Sequence, residues 1–272
     1  MSAKLLVKSL KILKLLKLDE LSGGSGVPGL NRNDAYQLRI PLPPLEVQQQ
    51  IVNECEASEQ AVIKAKEAIQ QAKNEIEERI NSIYKDSKEL VGLSKVSDIK
   101  RGRFSHRPRN YPRFYDGIYP FIQTGDIVRV NGNKIEYTQT LNEDGLQVSK
   151  LFQPSIVLVT IAANIGDTAV LDYPACFPDS VVALISNNDI NVYFLELIMR
   201  KQKQYLNDVA PKMAQKNINI EILKSVKIPV PPLSVQEKLV SEVDKLEQEI
   251  TKDQNIIDES HNLKQKVMKR YL

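Results

Sequence analysis

Ile40-Pro41-Leu42-Pro43-Pro44-Leu45-Glu46-Val47-Gln48 is the stretch that decides the fold, because it recurs later in the chain as Ile228-Pro229-Val230-Pro231-Pro232-Leu233-Ser234-Val235-Gln236. Proline cannot continue a helix but is tolerated in a first helical turn, so each copy predicts a rigid entry into a helix. The second copy adds the capping box Ser234-x-x-Glu237. An internal repeat sets the architecture before single residues are interpreted. This one predicts two helices with a different kind of sequence between them.

Each copy opens a long charged stretch in which apolar residues recur in steps of three and four, the pattern of a coiled-coil seam. The first seam is Cys55, Val62, Ala65, Ile69, Ala72, Ile76, Ile80 and Ile83, and the second is Leu239, Val243, Leu246, Ile250, Ile257, Leu263, Val267 and Tyr271. Asp253 and Ser260 fall on the second seam and weaken it. Gly92 predicts the end of the first helix, about 60 Å long at 1.5 Å per residue. Two independent helices would leave both seams in water, so the pattern favours mutual pairing.

Residues 93–230 have a different character, with Gly, Pro and Asn between short apolar runs. The runs at 156–159 and 181–185 predict buried strands, and 192–206 has helical spacing. Because the ends of a compact domain often lie close together, helices entering and leaving it would run antiparallel. The sequence therefore predicts an α+β fold, with one mixed, mostly β domain that carries a few helices, plus two long antiparallel helices forming a coiled coil.

The charge of the chain is distributed unevenly. The 272 residues are 42% apolar and 26% charged, enough for one substantial core, and the formal net charge is +3. By segment, residues 1–44 carry +4, 46–91 carry −4, 92–232 carry +4 and 233–272 carry −1. A basic middle domain between acidic to neutral helices favours an anionic partner for the domain. Solvated surface lysines also produce such an excess by chance, so charge alone leaves the partner open.

Several function classes lack their sequence patterns. Cys55 and Cys176 have no metal-ligand spacing and are interpreted as free, buried thiols of a cytoplasmic protein. Apolar runs fall short of the roughly 18–20 residues that span a bilayer, and the lysine-rich start favours a packed amphipathic helix over a membrane-surface one. Glycine-rich phosphate and dinucleotide loops are missing. Asn110-Tyr111-Pro112 and Asp172-Tyr173-Pro174 lack the paired prolines of an adenine methyltransferase motif and are interpreted as turns.

An arginine-rich segment is the strongest candidate for chemistry. Between Ile99 and Tyr115 there is no acidic residue, and the segment concentrates cationic, polar and aromatic side chains. They are Arg101, Arg103, Phe104, Ser105, His106, Arg107, Arg109, Tyr111, Arg113 and Phe114. Pro108 and Pro112 argue against a helix, and an extended arginine loop can pair with phosphates and present forked donors to guanine edges. The alternative is a surface loop whose arginines pair with acids elsewhere in the fold.

Two further segments carry polar side chains suited to DNA. Lys212-Met213-Ala214-Gln215-Lys216-Asn217-Ile218-Asn219 combines cations with amides that can read adenine edges, so Lys212, Gln215, Lys216 and Asn217 are candidate contacts. An ordinary polar turn explains this segment nearly as well. Gln123 and Thr124 follow an apolar run and are further candidates, while Asp126 is interpreted as a turn-stabilising residue.

Together these motifs resemble the specificity subunit of a type I restriction-modification system. The resemblance rests on the duplicated Ile-Pro-x-Pro-Pro-Leu-x-x-Gln, on residues 101–109, on Phe121-Ile122-Gln123-Thr124-Gly125-Asp126-Ile127 and on Asn217-Ile218-Asn219, and it covers residues 22–272. It implies four parts. Residues 1–44 would be the remnant of a first target recognition domain and 45–91 the first conserved spacer helix. Residues 92–232 would be the target recognition domain and 233–272 the second spacer helix.

The resemblance also implies a function. The chain would be a non-catalytic, cytoplasmic subunit that reads one half of a split site in double-stranded DNA and docks methyltransferase subunits on its helices. S-adenosylmethionine would be carried by those subunits, no cofactor by this chain, and a restriction subunit would join the full complex. A homodimer, or pairing with another specificity fragment, would supply the second recognition domain. The alternative is an adaptor or competitor that binds the methyltransferase subunit through its coiled coil without reading DNA.

Overall fold

The computed structural model describes residues 44–130, 135–210 and 217–271. The described residues fall into two compact units, one within Met1–Lys64 and Asn255–Leu272 and the other within Ala65–Gln254. The helices are α1 Leu45–Asp86, α2 Leu93–Val96, α3 Thr124–Val130, α4 Glu143–Val148, α5 Val192–Lys201, α6 Lys203–Val209, α7 Ile220–Ser225 and α8 Leu233–Tyr271. Two predictions concern residues that the structure does not describe, apart from Pro44. They are the remnant of a first target recognition domain at residues 1–44 and the amphipathic helix at the start of the chain.

Among the described residues, ten strands form three sheets. They are β1 Leu90–Gly92, β2 Ser97–Arg101, β3 Tyr115–Phe121, β4 Gln139–Leu141, β5 Leu151–Phe152, β6 Ile156–Thr160, β7 Thr168–Leu171, β8 Ala175–Cys176, β9 Val181–Ser186 and β10 Lys227–Pro229. The sheet orders among the described residues are β1-β10, β2-β9-β6-β7 and β4-β3-β8-β5. The α+β fold with short strands between two long helices is therefore confirmed.

Helices α1 and α8 contain 42 and 39 residues and are the two helices that the repeat predicts. Helix α1 ends at Asp86, before the predicted stop, because residues 90–92 form strand β1. That strand pairs antiparallel with β10, which leads into α8, so the chain leaves one helix and enters the other at the same point. Within the 65–254 unit, Ile80 of α1 shares a buried cluster with Leu239 and Val243 of α8. The antiparallel coiled coil is confirmed.

Ser260, a polar residue on the seam of α8, has a hydrogen-bond partner within the unit that comprises parts of Met1–Lys64 and Asn255–Leu272. Its hydroxyl is hydrogen-bonded to that of Ser58, and both residues are buried. A hydroxyl buried between helices without a partner would be costly, so this pairing reduces the weakness that the sequence predicts at this position. Both cysteines are free thiols, but only Cys176 is fully buried, because Cys55 lies at a half-buried position of α1.

The sheet β2-β9-β6-β7, which we call the central sheet, is apolar on both faces. Val157 and Val159 of β6 face a core that includes helix α5, whereas Ile156 and Leu158 face a second core. Strand β9 divides its side chains between the same two cores. Because consecutive strand residues point to opposite faces, two buried faces require the continuous apolar runs seen in the sequence. Both predicted strands are confirmed, and the predicted helix at 192–206 is present as α5 and α6, separated at Gln202.

Two polar contacts fix the middle domain to helix α8 within the 65–254 unit. Gln236, from the repeated motif, is fully buried. Its amide donates to the carbonyls of Asp189 at 2.9 Å and Pro231 at 2.7 Å, and its oxygen accepts from the Asn191 amide at 2.8 Å. Further along α8, Glu247 accepts a hydrogen bond from Arg200 of α5 at 2.5 Å.

Candidate nucleic-acid interface

The arginine-rich segment leaves strand β2 and runs without regular structure until a short 3-10 turn at Pro112–Phe114. The expectation that proline excludes a helix holds around Pro108 but not at Pro112, because proline is tolerated in the first turn of a helix. Two backbone hydrogen bonds hold the start of the segment: the Gly102 amide donates to the carbonyl of Val181, the first residue of β9, and the Arg103 amide donates to the carbonyl of Phe177 in the β8–β9 connection. The loop is therefore held in place at its base.

An aromatic cluster supports the underside of this loop. Phe104 is buried and its ring lies 6.0 Å from Phe114 and 5.3 Å from Phe121, measured between centroids. The His106 ring lies 4.6 Å from Phe114 and stacks on Tyr111 at 5.6 Å. Aromatic pairs of this geometry contribute beyond their buried area. Phe104 and Phe114 thus form the buried base of the loop. The exposed residues above them include Arg101, Arg107, Arg109 and Arg113.

Three of the five arginines converge on Asp179, in the connection between β8 and β9. Arg107 donates to one carboxylate oxygen at 3.2 Å, and Arg109 donates to the other. Arg101 donates from Nε to the backbone carbonyl of the same residue at 2.6 Å. All three arginines are exposed residues, so one acidic residue gathers three cationic groups at the protein surface.

The other predicted residues of the loop make different contacts. Arg103 donates from Nε to the carbonyl of Ser149 at 2.9 Å and fastens the loop to the end of α4. Arg113 pairs with Asp144 at 2.9 Å, and its side chain remains largely exposed. Ser105 is exposed and donates to the Val148 carbonyl at 3.2 Å. Arg103 is thus oriented toward the protein backbone, while Arg113 extends the cationic surface.

Gln123 and Thr124 lie beside the Asp179 turn. The Thr124 hydroxyl is 3.2 Å from that of Ser180, the residue after Asp179. The exposed Gln123 side chain is hydrogen-bonded to Gln139. Asp126 is buried and accepts from the Gln123 backbone amide at 2.8 Å, so it stabilises the first turn of helix α3, where the sequence predicted an ordinary turn. The structure thus brings Gln123 and Thr124 to the same surface as the arginines.

Asn217 is linked to this surface through the β6–β7 connection. Asn217 forms an isolated bridge with Ala162, and the neighbouring Ile161 amide donates to the Ser180 carbonyl at 3.0 Å. Asn217 is exposed. Asn219, by contrast, caps helix α7 by accepting from the Ile222 amide. The predicted contacts Lys212, Gln215 and Lys216 lie outside the described residues.

The residues around 177–180 join these pieces into one surface, and sequence reasoning missed them. Asp179 and Ser180 touch the arginine loop and Thr124, respectively, and the exposed Ala163 and Asn164 flank the bridge to Asn217. Ala163 has a backbone φ of 63°, a conformation that is uncommon outside glycine and that occurs often at functional sites. The only nearby sequence feature that could have identified these residues is the pair Asp179-Ser180, two turn-forming residue types directly before the buried strand β9.

The surface suits an anionic polymer. It offers guanidinium forks for phosphates or guanine edges, and Gln123, Asn164 and Asn217 offer amides. Among the described residues, no group of three or more His, Cys, Asp and Glu is placed to hold a metal ion. The helices in that part of the chain include none with the length and apolarity needed to cross a membrane.

Comparison with known proteins gives a consistent picture. Residues 86–259 match the family described as type I restriction modification DNA specificity domain. A curated relative, the putative type I restriction enzyme MjaX specificity subunit of Methanocaldococcus jannaschii, is 22% identical over 261 residues. The alignment covers 88% of this chain and 59% of that protein, so the chain spans less than two thirds of the relative's length.

Solved structures share the fold. The HsdS subunit from Thermoanaerobacter tengcongensis aligns with a TM-score of 0.55 and 24% identity, covering 94% of this chain and 66% of that one. A chain from a structural study of complex assembly and conformational transition of the type I R-M system aligns with a TM-score of 0.62 and 24% identity, covering 96% and 67%. The type I S subunit from M. genitalium gives 0.61 and 14%, covering 93% and 68%.

Proposed function

Because the chain belongs to the family of type I restriction modification DNA specificity domains, we propose that it recognises a DNA sequence as part of a type I restriction-modification complex. The observation that carries this proposal is the convergence of Arg101, Arg107 and Arg109 on the Asp179 turn, beside Thr124. This surface lies inside the segment that matches the family. The sequence reasoning and the family match therefore favour the same part of the chain.

The side chains at this surface are of two kinds, arginines and amides, and each kind suits different groups on DNA. Arginine forks pair with phosphate oxygens or bind guanine O6 and N7, and glutamine and asparagine amides bind adenine N6 and N7. Arg101, Arg107, Arg109 and Arg113 would hold the backbone or read guanine. Gln123 and Asn217 would read adenine, and Lys212, Gln215 and Lys216 would extend the contact from the neighbouring segment. Ser105, His106 and Thr124 would add shorter-range polar contacts, whereas Arg103 would shape the loop through Ser149.

The helices would provide the connection to other subunits. We propose that exposed polar faces of α1 and α8 dock methyltransferase subunits, with a restriction subunit in the full complex, and that the middle domain reads one half of a split site. The described residues hold one such domain. The second half would be read by another recognition domain, from a second copy of this chain or from another specificity fragment.

Fluorescence anisotropy with the full chain and its methyltransferase subunit tests the proposal. The probe is a labelled random-sequence duplex, titrated between about 50 and 200 mM salt, the range over which phosphate contacts weaken steeply. Replacing Arg107 and Arg109 with alanine should weaken binding about eightfold at about 0.1 M salt, from a slope contribution of about 0.9 per phosphate. The loss corresponds to one net phosphate contact, because the two guanidinium groups share the Asp179 carboxylate. The charge-matched control replaces the exposed Lys95 and Lys224 with alanine and should change affinity little. Equal losses in both double variants would contradict the proposed interface.

One observation favours the adaptor alternative. All five arginines of the loop already have acceptors within the protein, namely Asp179 and Asp144 or the carbonyls of Ser149 and Asp179. An adaptor that no longer reads DNA would need no further partner for them. Co-purification separates the two functions, because the Arg107 and Arg109 variant of an adaptor would retain the methyltransferase subunit and affect methylation no more than the lysine control does.

A further inference from the structure

We infer that Asp179 is a specificity-determining positioning residue, which restrains Arg107 and Arg109 from pairing with the phosphates of DNA of arbitrary sequence. This inference rests on the proposed DNA-reading function and names the residue that regulates it. The carboxylate would act through the two arginines and would not itself need to touch a base.

The geometry places Asp179 between the two arginines. One carboxylate oxygen accepts from Nη2 of Arg107 at 3.2 Å, and the other accepts from Nη2 of Arg109. Arg107 also donates from Nη1 to the His106 carbonyl at 2.9 Å. Each contact with the carboxylate uses one Nη2 atom, and a guanidinium has five N–H donors. Both arginines therefore keep donors for DNA while Asp179 sets the direction of their forks.

The two ion pairs are exposed enough to be exchanged. The side chains of Arg107, Arg109 and Asp179 are 52%, 42% and 41% exposed, so water screens their attraction. A DNA phosphate can therefore compete for either guanidinium. An arginine that leaves Asp179 for a phosphate exchanges one anion for another and gains little, and the carboxylate left behind repels the backbone.

The exchange of Asp179 for a DNA phosphate has different consequences for binding to DNA of arbitrary sequence and for binding to the recognised, or cognate, site. On arbitrary DNA the arginines gain only by turning to phosphates, which requires breaking the contacts with Asp179. On a cognate site they can bind base edges with their remaining donors while Asp179 still holds Nη2. The carboxylate thus lowers sequence-independent affinity and supports the oriented, base-reading arrangement. Phosphate contacts supply most of the sequence-independent binding of proteins to DNA, so a local anion acts directly on that contribution.

Replacing Asp179 with asparagine tests the inference, because the amide keeps the size of the side chain and removes its charge. With the labelled random-sequence duplex, Asp179→Asn should bind about eightfold tighter at about 0.1 M salt, the contribution of one added phosphate contact. The plot of log affinity against log salt should steepen by about 0.9. Asp179→Glu restores the charge and should return the salt slope to that of the unsubstituted chain. Glu221→Gln, which removes an exposed carboxylate paired with Lys224 on helix α7, should change neither quantity.

The results separate failure of the inference from failure of the proposed function. If Asp179→Asn leaves the slope unchanged while Arg107→Ala/Arg109→Ala still weakens DNA binding, the inference is overturned and the proposed function stands. If the slope steepens and the same arginine substitutions in the Asp179→Asn background abolish the gain, the inference is supported. If no variant binds DNA in an arginine-dependent manner, the proposed function fails and the inference fails with it. Circular dichroism melting verifies that Asp179→Asn is folded, and the Asp179→Glu arm supplies a second variant for the slope comparison.

Discussion

Replacing Arg200 with alanine tests how the middle domain is fixed to helix α8. The Arg200 guanidinium donates to both carboxylate oxygens of Glu196, at 3.0 Å and 2.6 Å, and to Glu247 at 2.5 Å. The Glu196 side chain is only 3% exposed and also accepts from Thr168 at 2.6 Å. Burial disfavours the charged form of Arg200, but the hydrogen bonds and charges of Glu196 and Glu247 outweigh it and raise the pKa of Arg200 above its ordinary value.

The expected cost follows from this burial. Removing one partner of a buried ion pair costs about 3–5 kcal/mol, because the remaining charge is left uncompensated. The Arg200 and Glu247 side chains are 22% and 24% exposed, so water partly reaches the site and the lower end, about 3 kcal/mol, is expected. Arg79 is the matched control, since it joins α1 to α8 through Glu242 but lies in a more exposed pair. Arg79→Ala should cost below about 1 kcal/mol.

Urea unfolding followed by far-ultraviolet circular dichroism measures the free energy of unfolding of each variant. A loss for Arg200→Ala no larger than that for Arg79→Ala would refute the reasoning, because burial would then not decide the cost. A compensating variant sharpens the test. Replacing Thr168, Glu196 and Arg200 together with valine, leucine and methionine removes the buried polar groups as a set and should recover most of the lost stability.

Four further substitutions test single residues, with Gly125→Ala serving as the control for Gly102→Ala. In Gly102→Ala, the new Cβ would lie 2.4 Å from the Pro178 carbonyl oxygen, so it should destabilise the fold by about 1–3 kcal/mol and weaken DNA binding by displacing the neighbouring turn. Gly125→Ala, whose Cβ meets nothing within 4 Å, should be neutral or slightly stabilising in the same melting and anisotropy assays. Burial and nearby negative charges raise the pKa of Tyr173 from 10.0 to about 12, so the folded state keeps a proton that the unfolded state loses, and stability should fall as pH rises between these values. Urea midpoints across that range should decline less in Tyr173→Phe, and an identical decline would contradict the assignment. Gln236→Leu leaves two carbonyls and one amide without their buried partner and should cost about 3 kcal/mol in urea unfolding, whereas a loss below about 1 kcal/mol would mean that water replaces the amide.

The long helices and the central strands could be predicted because each depends on local periodicity. Apolar steps of three and four identify a helical seam wherever its partner lies, and two continuous apolar runs identify β6 and β9 as strands buried on both faces. The end of α1 was less predictable, because β1 forms only by pairing with β10 far along the chain. The hydrogen bond between Ser58 and Ser260 depends in the same way on the packing of two distant segments.

The candidate surface could be predicted only in part. The arginine segment is visible because its charge is local, and Gln123 and Asn217 were identified from their chemistry. Asp179 was not identified, since 72 positions separate it from Arg107 and nothing in its own neighbourhood marks it as a partner. The sequence left open whether the arginines pair with acids elsewhere, and the structure places Asp179 and Asp144 against them. Such pairings follow from tertiary structure, which a single sequence does not specify residue by residue.

The hydrogen bonds of Gln236 explain why the second copy of the repeated motif ends in glutamine. A buried amide that donates twice and accepts once fixes both the distance and the rotation of the segment around Asp189 against the start of α8. The ion pair at Glu247 adds a second point about 16 Å further along the helix, at 1.5 Å per residue. Two separated points prevent the domain from pivoting about either one. The proposed reading of DNA by the middle domain would require that restraint, because a change in the angle of the domain would move the candidate surface away from the bases.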